Sequence, residues 1–146
     1  MTSIPATVQP AVRQSLERWH AMVAARDMTA LADIADPNAV FRSPIAHSAY
    51  AGAPALVLAI GTVVNVFNDF VYHRQLVTDD GLSVVLEFSA RVGDKQLKGI
   101  DLIRFDEAGK IVEFEVMVRP ASGLQALGAE MGARIGARLP EFKANV

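Results

Sequence analysis

Apolar positions recur at helical spacing in the first part of the chain and at strand spacing in the second. Val12, Leu16, Trp19 and Val23 step by 4, 3 and 4, which predicts an amphipathic helix from Ala11 onward. A second short helix is expected over 29–35, stopped by Asp36-Pro37-Asn38. Residues 39–43 read as a short strand ending at Pro44, and 45–52 as a loop that holds His47 and Tyr50. A third helix over 54–67 carries Leu56, Ile60, Val63, Val64 and Phe67 on one stripe, with Pro54 suited to its first turn. The period then falls to two. Strands are predicted over 70–78, 82–92, 96–105 and 110–119, parted by Asp79-Asp80-Gly81, Gly93-Asp94 and Asp106-Glu107-Ala108-Gly109. Connections this short join antiparallel neighbours. A last helix over 122–139 places Leu124, Leu127, Met131 and Ile135 together.

This order predicts an α+β fold: a curved antiparallel or mixed sheet wrapped around three helices of the N-terminal half, plus a C-terminal helix. Residues 1–10 read as a flexible arm and 11–120 as the domain. Residues 121–146 read as a helix and tail that pack on the domain or on a dimer partner.

The strand over 96–105 carries the most unusual signal. Alternate residues share a face, so Leu97, Gly99, Asp101, Ile103 and Phe105 point inward, while Lys98, Ile100, Leu102 and Arg104 point outward. Asp101 is the one ionisable member of an otherwise apolar face. An ionised carboxylate there is costly, and the cheaper outcome is a raised pKa and a neutral acid. A hydrogen-bond partner inside the protein is the structural alternative.

Composition narrows the choice of ligand. Hydrophobic residues make up 51% of the 146 positions against 21% charged, ample for a core with a cavity. The net charge of −2 and the dispersed cations disfavour nucleic acid and acidic membranes. The absence of cysteine excludes disulfides, thiol nucleophiles and zinc–thiolate sites. His20, His47 and His73 share no metal-ligand spacing, so no metal is expected, and nothing in the sequence asks for a cofactor. The start of the chain lacks a basic region followed by an apolar run, and the stretch 53–66 is too short to span a membrane. A cytoplasmic location is the expectation.

Among the other residues, His20 borders the apolar stripe of the first helix, and Tyr50 sits on a loop that can rim a pocket. Gly128, Gly132 and Gly136 fall four apart on the last helix and leave a small face for close approach. The outer sheet face mixes Val85, Ile100, Leu102 and Met117 with charges of both signs, the pattern of a homodimer interface.

The element order, and most specifically Ile100-Asp101-x-x-Arg104-Phe105-Asp106-Glu107-x-Gly109-x-Ile111, resembles the ketosteroid isomerase and nuclear-transport-factor-like superfamily, which includes SnoaL-like polyketide cyclases and limonene epoxide hydrolase. Arg18-Trp19 followed by Arg26-Asp27 is a second, weaker point of similarity. The resemblance implies a cone with a pocket between sheet and helices. It places Asp101 where ketosteroid isomerases hold a protonated Asp that donates to an oxyanion. Trp19 stands where that family has a donor Tyr, and Ser43, before Pro44, where it has a general-base Asp. With two of three catalytic positions changed, the steroid mechanism is not carried over. Limonene epoxide hydrolase resembles the chain in fold but uses two carboxylates bridged by an Arg, and Gly99, Phe114, Val116 and Val118 supply no second inward carboxylate. A single pocket Asp does suffice for aldol-type cyclisation.

The sequence therefore predicts a hydrophobic small-molecule pocket lined by Trp19, Phe41, Ser43, Leu86, Phe88, Asp101, Phe114, Val116 and Val118. An enzyme here would be an isomerase or cyclase without cofactor. Asp101 would serve as acid, base or oxyanion donor, with Trp19, Tyr50 and His20 as lesser catalytic candidates. A non-catalytic carrier or sensor, or a dimerisation domain, is the alternative.

Overall fold

The computed structural model describes residues 3–143. It holds three α-helices and one six-stranded sheet. They are α1 (Pro10–Ala25), β1 (Ala35–Arg42), β2 (Tyr50–Ala51), α2 (Ala53–Val63), β3 (Asn68–Val77), β4 (Ser83–Val92), β5 (Lys95–Phe105), β6 (Ile111–Arg119) and α3 (Ala121–Ile135). Strand order is β2-β1-β6-β5-β4-β3, antiparallel throughout except for the parallel β1–β6 pair. The α+β cone expected from the sequence is present.

Local chemistry explains where elements begin and end. Pro10 and Pro54 each occupy the first turn of a helix, where a missing N–H costs nothing. Val12, Leu16, Trp19 and Met22 form the buried stripe of α1. Bulges bend β1, β3 and the β5–β6 ladder, where the register shifts. That curvature turns a flat sheet into a wall around the helices. Position 99, on the concave face, requires glycine because a Cβ there would run into the Met117 carbonyl and stand 2.7 Å from the Phe88 ring. The core gathers Leu16, Leu31, Leu56, Leu86, Phe88, Ile103 and Phe114 between α1, α2 and the sheet.

Four expectations are corrected. The second of the three N-terminal-half helices is a single 3-10 turn, Leu31–Ile34, because β1 already begins at Ala35 and runs through Asp36-Pro37-Asn38. The third helix ends at Val63 rather than Phe67, as Val66 and Phe67 fold back on Val63 in turns. The last helix stops at Ile135, and a separate 3-10 turn, Leu139–Phe142, follows. The arm before α1 is tied down where it is described. Val8 is buried, Gln9 N–H donates to the Gly81 carbonyl at 3.1 Å, and the Arg13 guanidinium reaches the Pro5 carbonyl at 2.6 Å.

No helix among the described residues is long and apolar enough to cross a membrane.

Candidate functional site

Asp101 sits midway along β5, paired with Leu86 of β4 and Val116 of β6, and its side chain enters the concave side of the sheet. It is buried. Tyr72 of β3 reaches it across β4, and the phenol O–H donates to Asp101 Oδ2 at 2.5 Å. The Trp19 indole N–H from α1 donates to the Tyr72 oxygen at 3.1 Å. An indole can only donate, and a phenol has one proton. Tyr72 therefore accepts from Trp19 and spends its proton on Asp101 Oδ2. When Asp101 is protonated with this bond kept, its own proton lies on Oδ1.

Burial pushes the Asp101 carboxyl from 3.8 up to about 7, against the smaller downward pull of the Tyr72 hydrogen bond. Burial also raises the Tyr72 phenol well above its usual range, reinforced by the neighbouring carboxylate. Asp101 is thus the group that titrates near neutrality, and Tyr72 stays protonated beside it.

This pair faces a cavity of about 190 Å³. Its walls come from Trp19 and Val23 of α1, Phe41 of β1, Ile60 and Val63 of α2, Phe67, Phe70 and Val116, and its rim from Ser43, Pro44 and Ile45. Leu127, Gly128, Met131, Gly132 and Ile135 of α3 close it from one side. Asp101 is the one carboxyl among the lining residues; Arg26, Tyr50 and Tyr72 are the other ionisable groups. Tyr72 meets Phe70 edge-on with ring centres 4.8 Å apart. Phe41 and Tyr50 stack at 6.4 Å.

The predicted lining residues divide. Trp19, Phe41, Ser43, Asp101 and Val116 line the cavity, as does Tyr50, expected only as a lesser catalytic candidate. Leu86, Phe88, Phe114 and Val118 do not: the first three are fully packed core side chains that point to the concave side but lie beneath it, and Val118 is half-buried away from the cavity. Alternation gives the face of a strand, not the depth at which a side chain ends. Trp19 is buried and commits its N–H to Tyr72, so it supports the acid instead of offering a donor to a ligand. Ser43 Oγ accepts the Ile45 N–H at 3.1 Å in a local turn. His20 is outside the cavity, bonded through Nε2 to Gln75 Oε1 at 2.7 Å and held neutral-leaning by burial. His47 is exposed and lines nothing. Among the described residues no cluster of three acidic or histidine side chains is placed to hold a metal.

Tyr72 is the site residue that strand alternation missed. In β3, Tyr72 pairs with Phe88 and Gln75 with Leu86, so the two residues between them on β3 oppose the single Glu87 on β4. The bulge resets the phase and buries both Tyr72 and Gln75. The available signal was Phe70 and Tyr72 at i, i+2, two aromatics sharing one face just before the break.

The glycines of the last helix also take a specific role. A Cβ at Gly128 would stand 2.9 Å from the Ile45 side chain, whereas Gly132 has open space around it. The small face lets the rim loop close against α3 and leaves room in the cavity.

The comparisons with known proteins agree with this architecture. A steroid delta-isomerase from Pseudomonas aeruginosa superposes with a TM-score of 0.89 at 56% identity, covering 94% of this chain and 99% of that one. A protein with a cystatin-like fold from Silicibacter pomeroyi gives 0.81 at 29% identity, with 94% of both chains covered. An NTF2-like protein from Mesorhizobium loti gives 0.69 at 18% identity over 82% of this chain and 100% of its own, a likeness of fold. No curated protein matches the chain. The SnoaL-like domain family matches residues 16–114, which span β1 to β5, most of α1 and the first half of β6. By that match and by the 56% identical structure, the chain belongs to the SnoaL-like family.

Proposed function

We propose that the protein binds a hydrophobic carbonyl or phenolic compound in this cavity and moves a proton on it through Asp101, as an isomerase or cyclase that needs no cofactor. One observation carries the reading. The only carboxyl among the described residues lining an apolar cavity has one oxygen fixed by Tyr72, the other left without a protein hydrogen bond, and a pKa of about 7. A group poised there serves equally as base and acid at neutral pH.

As a carboxylate, Asp101 takes the proton α to the ligand carbonyl. The C–H bond breaks, an O–H bond forms on Asp101, and the electron pair moves to the carbonyl oxygen to give an enolate. Return of the same proton to a conjugated carbon completes an isomerisation. Attack of the enolate on a second carbonyl of the ligand completes an aldol-type ring closure, with Asp101 delivering its proton to the new alkoxide. The name of the Pseudomonas relative supports the isomerase branch. Trp19 and Ser43, which replace the ketosteroid isomerase Tyr and Asp, leave Asp101 without a separate base, so both proton transfers fall to one residue.

A carrier is the second reading, favoured by the way Trp19 and Tyr72 both spend their protons inside the protein rather than on a ligand. For the partner, a second copy of this chain is proposed on the outer sheet face. There Met117 is exposed between the Arg74–Glu87–Lys98 and Arg42–Glu113–Arg104 ion clusters.

The test is affinity for a series of substituted phenols of graded acidity, on wild type and Asp101→Asn at pH 6. Affinity that rises with phenol acidity in wild type and not in Asp101→Asn supports a protonated Asp101 aimed at an oxyanion. Equal binding by both proteins leaves a carrier, and no binding removes the pocket reading.

A further inference from the structure

A second hollow lies at the edge of the sheet beside β3, with His20, Arg26, Asp69, Phe70, Tyr72 and Arg91 in its walls. It is polar where the cavity is apolar. The two are neighbours, because Val23, Arg26, Phe70 and Tyr72 line both. A ligand whose oxygen meets Asp101 lies against Tyr72 and Phe70, and so stands next to the hollow as well.

Arg26 is the one cation that lines the cavity among the described residues. Its guanidinium donates through Nη2 to the Phe67 carbonyl and has no acidic partner among the described residues. A guanidinium carries five N–H donors, so most of its donors remain for a ligand. Arg91 differs: it is held by Asp69 Oδ2 at 3.1 Å and by the Gly93 carbonyl. The hollow therefore sums to one positive charge, with Arg91 cancelled by Asp69, His20 shifted toward its neutral form, and Arg26 left over.

Backbone conformation adds an independent observation. Arg26 and Asp69, both at φ 53°, are the two non-glycine residues in the left-handed region among the described residues, and both line this hollow. Arg26 ends α1 there, at a position where glycine is the usual solution. Such a backbone conformation is unfavourable for a residue with a Cβ, and costs of this kind gather where a side chain is needed in one place.

We infer that this hollow is a polar subsite of the cavity and that Arg26 selects ligands that carry a carboxylate in addition to the oxygen that meets Asp101. The inference rests on the proposed function and narrows it: the substrate class becomes hydrophobic keto or phenolic acids.

The experiment is calorimetric titration with 6-hydroxy-2-naphthoate and its methyl ester, on wild type, Arg26→Gln and Arg26→Lys, at low and high salt. Wild type binds the acid roughly tenfold more tightly than the ester, the size of one half-exposed charge-assisted hydrogen bond. Arg26→Gln abolishes that preference, Arg26→Lys keeps part of it, and salt reduces it, while ester affinity stays constant and reports an intact cavity. Equal affinities in wild type, a preference that survives in Arg26→Gln, or a parallel weakening of both ligands would overturn the inference. If the phenol series still distinguishes wild type from Asp101→Asn, only the Arg26 subsite is lost. If neither phenols nor naphthol compounds bind, the proposed function falls with it.

Discussion

Replacing Asp101 by Asn should stabilise the protein increasingly as pH rises from 5 to 8. The sign follows from the raised pKa. Burial lifts the carboxyl from 3.8 to about 7 in the folded state. Between those values the unfolded chain releases the proton and the folded chain keeps it. Stability contributed by the neutral form is whole below 3.8, and it drains away as pH rises until Asp101 ionises in the folded state near 7. The full displacement corresponds to about 4 kcal/mol. About a third of it is already lost at pH 5, so some 2–3 kcal/mol separates pH 5 from pH 8.

Asn at this position keeps an amide oxygen to accept the Tyr72 O–H and has no charge to desolvate. Its curve should be flat over the range in which wild type declines. The assay is urea denaturation of both proteins at pH 5, 6, 7 and 8. The difference between them should widen in favour of Asp101→Asn by about 2–3 kcal/mol from pH 5 to pH 8. Curves that run parallel across this range would refute the claim that burial holds Asp101 neutral. So would wild type gaining on the variant as pH rises.

Two further outcomes follow from the same hydrogen bonds and ion pairs. Tyr72→Phe strips the partner from both Trp19 Nε1 and Asp101 Oδ2, and should cost about 1–3 kcal/mol at pH 5 by denaturation. Since the lost bond is what pulls the Asp101 pKa down, the pH-dependent decline should extend above 7, and an unmoved decline would show that Tyr72 does not act on the carboxyl. Glu87 is held at about 2 by the Arg74 hydrogen bonds, with help from Lys98, so its contribution is present above 4.5 and lost as pH falls toward 2. Glu87→Gln should flatten the acid limb of the stability profile between those values, and an unchanged limb would place acid sensitivity elsewhere.

The elements that could be read from the sequence are those whose periodicity survives folding. The stripe of α1 and the inward row Leu97, Gly99, Asp101, Ile103 and Phe105 are regular, and each residue of that row is buried. The Asp-Gly and Gly-Asp turns set the hairpins. What was not legible depends on irregularity or on depth. The β3 bulge hid Tyr72, the partner that makes Asp101 intelligible. The inward residues Leu86, Phe88 and Phe114 share a face with Asp101, yet they end in packed core, since the cavity is set by how α2 and α3 splay from the sheet. Arg26 enters the cavity wall from the end of α1, at a backbone turn that no apolar pattern announces.

The substitutions that separate this chain from the ketosteroid isomerase pattern belong together. A Tyr at position 19 would bring a proton that it could direct at a ligand or at a neighbour. Trp19 has no such choice, because its N–H can only donate, and Tyr72 is there to receive it. The direction of the whole row is thereby set: Trp19 to Tyr72, Tyr72 to Asp101 Oδ2, and Asp101 Oδ1 to whatever occupies the cavity. Two donors that a ketosteroid isomerase presents side by side become one donor with two residues behind it. Ser43, at the position where the resemblance implies a base, accepts the Ile45 N–H in a local turn and carries no carboxylate to the rim. The site is thereby reduced to a single titrating group whose free oxygen and proton position are both determined by the protein. On the function proposed above, proton transfer in this cavity runs through Asp101, and a ligand that binds without engaging it is carried.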